Sequence, residues 1–247
     1  MTINTDSSEQ TAAAAPQTPA EVDPRVARSR ETLIAAMTEL LREQPIDKIT
    51  ASMVAREAST SRPTLYQHFG DLTGLAVAAA VHNLEQLLFT AWEEDGMAVA
   101  RETSDSHTNN AAAIRNLLTH LREDQEFFLN VTQGPSSYRV TQAITYALAR
   151  QLWNGLALEK GLDRSKNPFT SLNHFEEDPL DSDPLHSEDL DAEDPVDSNE
   201  PTLVQQLQFV SDGVAGNAIG WLAGTRNETV EQLAATLQNL AQRVLLH

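Results

Sequence analysis

The pattern of hydrophobic and polar positions first becomes regular over residues 25–44. The apolar positions of this stretch are Leu33, Ile34, Met37, Leu40 and Leu41. They occur at i, i+1, i+4, i+7 and i+8, which is the period of one face of an α-helix. We therefore predict an amphipathic helix here. Pro45 is expected to end it, because proline cannot continue the helical hydrogen-bond ladder.

Two shorter helices are predicted next, separated by a tight turn at residues 59–61. Thr50 is suited to cap the first of them, because its hydroxyl oxygen can accept a hydrogen bond from a free N–H group of the first turn. Ser61 is the expected N-cap of the second. Pro63 falls in the first turn of this helix, where a missing N–H group is harmless, and the helix is predicted to run to about Phe69.

The rest of the chain also shows the helical period. A fourth helix is predicted from an Asp71 cap to about Trp92, and a loop is predicted over residues 95–109. Further helical stretches are predicted at 110–132, at 136–160 and, after an acidic interruption, at 203–221 and 230–244. Because no stretch alternates with the period of two that is typical of strands, the predicted fold class is all-α.

The second short helix has one apolar face and one polar face. At 100° per residue Leu65 and Phe69 lie only about 40° apart, so they define the buried side. Gln67 then points away from the core. The remaining polar or outward positions are Pro63, Thr64, Tyr66 and His68. A short helix, a tight turn and a second helix with a polar outer face are typical of a helix-turn-helix unit, whose second helix enters the major groove of DNA.

The charge distribution removes an objection to this interpretation. The net charge of the chain is −19, whereas DNA binding depends on Lys and Arg residues that displace the counterions of the phosphates. Residues 171–200, however, contain 12 acidic residues and no Lys or Arg, and without them the net charge is −7. Residues 25–75 contain seven basic and six acidic residues. Positive charge is therefore concentrated in the segment that contains the predicted helix-turn-helix unit.

Residues 49–75, ITASMVAREASTSRPTLYQHFGDLTGL, resemble the N-terminal DNA-binding unit of TetR-family transcriptional regulators. The positions that carry the resemblance are Thr50, Val54, Ala55, Ala58, Ser61, Thr64, Leu65, Tyr66, His68, Phe69 and Leu75. The resemblance implies a three-helix DNA-binding domain followed by a larger helical domain that binds a small effector and forms a homodimer. It also implies that a small molecule releases the protein, a repressor, from a double-stranded DNA operator.

The resemblance further implies a role for individual residues. Those expected to hold phosphates are Thr50, Ser61, Tyr66 and His68, and those expected to face bases are Arg62, Thr64 and Gln67, with Pro63 on the same surface. Two positions depart from the family pattern. Ser59 stands where a turn glycine is usual, which would strain a positive φ angle. Leu72 stands where a lysine is usual, so one phosphate contact is expected to be lost.

Three segments are predicted along the chain. Residues 1–24 lack the basic and apolar regions of a signal peptide and are expected to form a disordered head. Residues 25–72 are the predicted DNA-binding domain. Residues 73–247 are the predicted effector-binding and dimerisation domain, interrupted by an acidic, mobile loop at about 167–201. No stretch approaches the roughly 18 consecutive apolar residues of a membrane span, and the chain has no cysteine, so a cytoplasmic location is expected.

Two sites in the larger domain are predicted from residue type and spacing. Aromatic residues that could line an effector pocket between helices are Trp92, Phe127, Phe128, Tyr138, Tyr146 and Trp153. Aromatic residues at helical spacing are, however, more often plain core. Residues predicted at a dimer interface are Val210, Gly213, Val214, Gly216, Gly220, Trp221, Leu233, Leu237 and Leu240. The pattern alone favours core for this second set, whereas the resemblance favours a four-helix bundle across a two-fold axis.

The sequence contains no signature of an enzyme, a cofactor site or a metal site. It has no glycine-rich phosphate loop, no paired metal-binding histidines and no nucleophile with an evident base. An alternative hypothesis remains beside the regulator: a helical binding or scaffold protein that keeps this fold but has lost specific DNA binding. Leu72 and the strongly negative net charge are consistent with that alternative.

The acidic segment generates a first testable prediction. Its carboxylates are expected to compete with DNA phosphates for the basic N-terminal region. Deleting residues 171–200 should therefore tighten binding to random duplex DNA at low salt, as measured by mobility-shift titration. An unchanged affinity would contradict the proposed competition.

Overall fold

The computed structural model of the protein describes residues 24–99, 106–134, 136–170 and 202–245. Every regular element in these ranges is helical, which agrees with the predicted all-α class. The α-helices are α1 (Pro24–Glu43), α2 (Ala51–Glu57), α3 (Arg62–Phe69), α4 (Leu72–Val99), α5 (Ser106–Glu123), α6 (Gln125–Val131), α7 (Ser137–Lys160), α8 (Leu203–Leu222) and α9 (Val230–Leu245). Short 3-10 helices span Ile46–Lys48 and Arg164–Lys166. The predicted head, residues 1–24, lies outside the described residues except for Pro24, which begins α1.

Helices α1 to α3 form the N-terminal three-helix unit, and both predicted caps are confirmed. The hydroxyl oxygen of Thr50 accepts a hydrogen bond from the Met53 N–H at 3.3 Å. That of Ser61 accepts one from the Thr64 N–H, also at 3.3 Å. Each cap satisfies a backbone donor that the helix itself leaves free, so the two short helices begin at defined residues.

Helix α4 is the central helix of the molecule and is longer than predicted. Its N-cap is Asp71, whose Oδ1 accepts a hydrogen bond from the Gly74 N–H at 2.6 Å. It packs against α1, α5 and α7. The segment Leu72–Ala91 is long and apolar enough to cross a membrane by composition alone, contrary to the estimate from consecutive apolar residues. In the fold, Leu75 and Ala79 in this segment have no solvent exposure, because they form part of the protein core.

Residues 95–99 and 106–109, which were predicted as parts of a loop, belong to α4 and α5, and residues 100–105 of that prediction lie outside the described residues. The single helical stretch predicted at 110–132 is instead two helices, α5 and α6, which meet at Asp124. The carboxylate of Asp124 is occupied by an ion pair with Arg42 of α1. The break therefore allows α6 to pack across α1.

The first residues of the predicted acidic, mobile loop, 167–170, pack against the larger helical region, contrary to the prediction. Asn167 and Phe169, which fall within its predicted range of 167–201, are only 4% and 3% exposed. The Asn167 side-chain amide donates hydrogen bonds to the Arg150 carbonyl oxygen and to Asn154 Oδ1, and Phe169 packs in a small core with Ala149. Residues 171–201 lie outside the described residues.

Helix α8 begins with a capping box. The Thr202 hydroxyl oxygen accepts a hydrogen bond from the Gln205 N–H, and the Gln205 Oε1 accepts one from the Thr202 N–H at 2.8 Å. Thr202 and Gln205 thereby satisfy two backbone N–H groups at the start of the helix.

One buried core extends across the predicted boundary between residues 72 and 73. Leu65 of α3, Leu84 of α4 and Phe127 of α6 belong to the same cluster of buried side chains. The three-helix unit is therefore packed onto the larger helical region through a shared hydrophobic interior rather than through a linker.

The strain expected at Ser59 is present. This residue lies in the turn between α2 and α3 and has a φ angle of +50°. Residues other than glycine adopt such positive φ angles at a cost of about 1–3 kcal/mol. We predict that Ser59→Gly raises the free energy of unfolding by about 0.5–1 kcal/mol, because glycine adopts this angle without strain. Urea denaturation measures the change.

Ser52 provides a matched control. It is another exposed serine, but it lies inside α2, where glycine is unfavourable by about 0.5–1 kcal/mol. Ser52→Gly should therefore lower stability. Equal effects of the two substitutions would contradict the assignment of strain to Ser59.

Candidate nucleic-acid interface

Helix α3 turns its polar residues toward solvent. Leu65 has no exposure and anchors the helix in the core. Tyr66 is 49% exposed, and Arg62 and Gln67 are also exposed. Thr64 and His68 are half-buried at the edges of this face, and Pro63 and Thr50 are exposed beside it. The arrangement leaves hydrogen-bonding side chains free on one outward surface, which we call the α3 face.

The start of α3 holds two hydroxyl groups in fixed positions. Ser61 Oγ lies 2.7 Å from Thr64 Oγ1, within hydrogen-bonding distance, and also caps the helix. Because each hydroxyl group constrains the other, neither side chain has to lose conformational freedom when a ligand binds. Hydroxyl and backbone N–H groups at a helix N-terminus are suited to phosphate oxygens.

Four polar contacts join the three-helix unit and the start of α4 to the larger helical region. Arg42 of α1 forms a bidentate pair with Asp124, with N–O distances of 2.8 and 2.9 Å. The hydrogen bonds that Arg42 donates to this carboxylate raise the pKa of its guanidinium above the ordinary value. The other three contacts are Asn130 Nδ2 to the Leu41 carbonyl oxygen at 2.8 Å, Arg139 to Asp71 at 3.6 Å, and Thr73 to Ser136 at 3.0 Å. The orientation of the α3 face is thus linked to α6 and α7.

A cavity of about 120 Å³ lies inside the larger helical region. Its wall includes Leu84 and Leu88 of α4, Phe128 of α6 and Leu148 of α7, together with residues of α5, α8 and α9. Ligand sites of helical bundles lie preferentially in such spaces between helices, so the cavity is a candidate ligand site.

The six aromatic residues predicted for an effector pocket are dispersed. Phe128 lines the cavity. The others are Phe127 in the main core, Tyr138 at the surface with 62% exposure, Tyr146 and Trp153 around the Phe169 cluster, and Trp92, whose side chain lies outside the described residues. The cavity wall is instead mostly aliphatic. Sequence spacing missed its residues because leucine and valine at helical spacing are the ordinary composition of any core.

The residues predicted at a dimer interface divide into two groups. Those buried or half-buried within the protomer are Val210, Val214, Gly220, Trp221, Leu233 and Leu237, and of these Val210, Val214 and Leu237 line the cavity. Gly216 and Leu240 are exposed and Gly213 is half-exposed. A β-carbon added at Gly213 or Gly216 would meet no atom within 4 Å. Phe209, which the sequence did not single out, is 70% exposed on the same helix.

Residues 33–79 match the model of a protein family described as bacterial regulatory proteins, tetR family. The match covers 47 of the 247 residues, so the N-terminal unit is similar to TetR-family proteins. Two curated members, the tetracycline repressor proteins of class D from Escherichia coli and of class H from Photobacterium damsela subsp. piscicida, are each 29% identical to it over 135 residues. The alignments cover 54% of this chain and 58% of each relative. The chain thus spans little more than half the length of the curated relatives it matches.

The TetR-family fold extends over most of the chain. The solved structure of FadR from Thermus thermophilus, a TetR-family transcriptional repressor in complex with lauroyl-CoA, has a TM-score of 0.50 and 17% sequence identity. The match covers 87% of this chain and 93% of that one. At this identity the likeness concerns the fold alone. It confirms the predicted architecture of an N-terminal helix-turn-helix domain and a larger helical domain.

Several residues of this TetR-family unit were missed by the sequence analysis. The guanidinium of Arg30 in α1 lies 4.7 Å from the centre of the Phe69 ring, a cation–π contact that ties α1 to the end of α3. Arg25 and Arg28 border a recess beside Ser59, in the turn before α3. In the sequence, the local excess of positive charge was the only indication that arginines of α1 could take part in this surface. It could not show which arginines lie near the α3 face.

Gly74 allows a close approach between α3 and α4. A β-carbon at this position would collide with the Phe69 carbonyl oxygen. Gly74→Ala is therefore expected to displace the end of α3, lower stability by about 1–3 kcal/mol and weaken binding to a selected duplex at least tenfold. Thermal unfolding and mobility-shift titration measure the two effects.

Gly155 of α7 serves as the control. It is an exposed helical glycine whose β-carbon would meet nothing within 4 Å. Gly155→Ala should stabilise the protein by about 0.5–1 kcal/mol and leave DNA binding unchanged. If Gly74→Ala behaved in the same way, the close approach would have no role in positioning α3.

Proposed function

We propose that the protein is a cytoplasmic, homodimeric transcriptional repressor that binds an operator with its α3 face and releases it when a small molecule occupies the cavity. The observation that carries the proposal is the exposed polar surface of α3, held from behind by the fully buried Leu65. A helix presented in this way, after a tight turn, has the geometry that enters a major groove. The match of residues 33–79 to the TetR-family model supports the same conclusion.

The residues of the α3 face divide by chemistry. Arg62, Gln67 and Thr64 are proposed to contact base edges, since guanidinium, amide and hydroxyl groups match the donors and acceptors displayed in the major groove. Phosphate contacts are proposed for Thr50, Ser61, Tyr66 and His68, with Pro63 packed against the backbone between them. Arg28, exposed on α1 beside the turn, adds a positive charge at the edge of the same surface.

The proposed dimer uses the outer sides of α8 and α9. Phe209 exposes 70% of its surface and Leu240 exposes 48%. Gly213 and Gly216 follow Phe209 at i+4 and i+7, so all three lie on one side of α8. Small residues beside an exposed aromatic ring let a second helix approach closely. A two-fold dimer would present two copies of α3 to half-sites about one or more turns of DNA apart.

The proposed effector response passes through helices that touch both regions. Leu84 and Leu88 of α4 line the cavity, while the first turns of α4 hold the end of α3. Phe128 of α6 also lines it, and its neighbour Asn130 donates a hydrogen bond to α1. Occupying the cavity would shift these helices and tilt the two α3 faces, with a coupling of about 1–3 kcal/mol between effector and operator. The relatives named as tetracycline repressors and the lauroyl-CoA complex of FadR support a ligand-responsive protein.

Selection of duplexes from a random pool tests the proposal directly. A repeated, two-fold symmetric sequence is expected, and mobility-shift titration at several salt concentrations should show tighter binding to it than to random duplex. If no duplex were preferred over random competitor at any salt concentration, the scaffold alternative would replace the regulator.

Substitution of Gln67 tests the assignment of the α3 face. Gln67→Ala should reduce discrimination between the selected and random duplexes by about 1–3 kcal/mol, because a base-edge contact is removed. Gln86→Ala is the matched control, since Gln86 is an exposed glutamine on α4 away from this face. Titration of both variants against both duplexes gives the comparison. A loss of discrimination in the Gln86 variant, or none in the Gln67 variant, contradicts the assignment.

A further inference from the structure

The wall of the cavity carries almost no polarity. Of the 19 residues that line it, 18 are Leu, Ile, Val, Ala or Phe. Gln151 of α7 is the single lining residue with a polar side chain. Within the described part of the chain, no Lys, Arg, His, Asp or Glu contributes to the wall. A charged group entering this space would lose its hydration without gaining a partner, which is strongly unfavourable.

The arginines that neighbour lining positions in sequence lie outside the cavity wall. Arg150, next to Gln151, forms an ion pair with Glu85 across α7 and α4. Arg122, next to Leu121, stacks on the Trp221 ring with 4.5 Å between the guanidinium carbon and the ring centre. Arg115, next to Ile114, is exposed on α5. Because none of the three lines the cavity, an anionic ligand would find no counter-charge in its wall.

Gln151 is the single side chain able to orient a ligand by hydrogen bonding. Its amide can donate two hydrogen bonds and accept hydrogen bonds as well. It is partly exposed, and Leu148 and Leu152 beside it on α7 also line the cavity. A hydroxyl or carbonyl group on an otherwise apolar molecule would satisfy this amide, while the aliphatic wall would take the hydrocarbon part.

We infer that the effector is an uncharged, mainly hydrocarbon molecule with one hydroxyl or carbonyl group that binds Gln151. This inference rests on the proposed function, because only a ligand that releases the operator is an effector. The binding itself is independent of DNA. An apolar cavity of about 150 Å³ holds a benzene-sized molecule, so a cavity of about 120 Å³ suits a ligand of about six non-hydrogen atoms at most.

Calorimetric titration of the full-length protein at pH 8 tests the chemical class. The probes are 1-pentanol, pentanoate, pentylammonium, benzene and lauroyl-CoA; pentanoate and pentylammonium are charged at this pH. We expect 1-pentanol to bind at least tenfold more tightly than either charged pentyl compound, and benzene to bind measurably. Equal or tighter binding of pentanoate, pentylammonium or lauroyl-CoA, or no binding of 1-pentanol, overturns the inference.

Substitution of the polar lining residue tests the hydrogen bond. Gln151→Leu should weaken 1-pentanol binding about three- to tenfold and leave benzene binding unchanged or tighter. Gln142→Leu is the control, because Gln142 is a half-buried glutamine on the same helix that does not line the cavity. An equal effect of both substitutions on 1-pentanol overturns the role of Gln151. Circular dichroism of each variant establishes that it is folded.

The same probes separate this inference from the proposed function. Selective binding of 1-pentanol supports the inference even if the protein prefers no duplex, in which case the regulator proposal alone fails. Specific operator binding together with a preference for a charged probe overturns the inference and leaves the regulator intact. Release of the selected duplex by 1-pentanol in a mobility shift, weakened by Gln151→Leu, supports both.

Discussion

Helix α4 has to bury its two halves against different parts of the molecule, and the remaining architecture follows from this constraint. Its first half contributes Leu75 and Ala79, both without exposure, to the packing around α1. Its second half contributes Leu84 and Leu88 to the wall of the cavity. A helix that is apolar on several sides is stable only when neighbours cover each side. The covering helices are therefore fixed relative to one another, and the α3 face and the cavity share one rigid element.

The features that the sequence predicted well are those determined by neighbours within about four residues. The Thr50 and Ser61 caps, the burial of Leu65 and the positive φ angle of Ser59 each depend on local backbone geometry and side-chain type. Capping preferences and helical periodicity act within one turn. The N-terminal unit could be predicted in detail for this reason, and its resemblance to a known family rests on the same short-range features.

The features that the sequence missed depend on contacts between distant segments. The break at Asp124 accompanies its pairing with Arg42, 82 residues away, and no local rule identifies that partner. Likewise, the apolar residues of α8 and α9 contribute to both the core and the cavity wall. Val210 and Leu237 have the spacing that is typical of paired helices, and this spacing is the same whether the partner helix belongs to the same protomer or to another. Periodicity indicates that a face is covered. It does not identify what covers it.

The two fixed points on either side of residues 171–201 have an evolutionary consequence. Phe169 is held in a small core with Ala149 and Leu207, and α8 starts from a capping box made by Thr202 and Gln205. Each side thus has stabilising contacts of its own among the described residues. Changes of chain length between these two points would leave both sets of contacts intact in descendants of this protein, and the position is a natural place to insert a tag or a second domain.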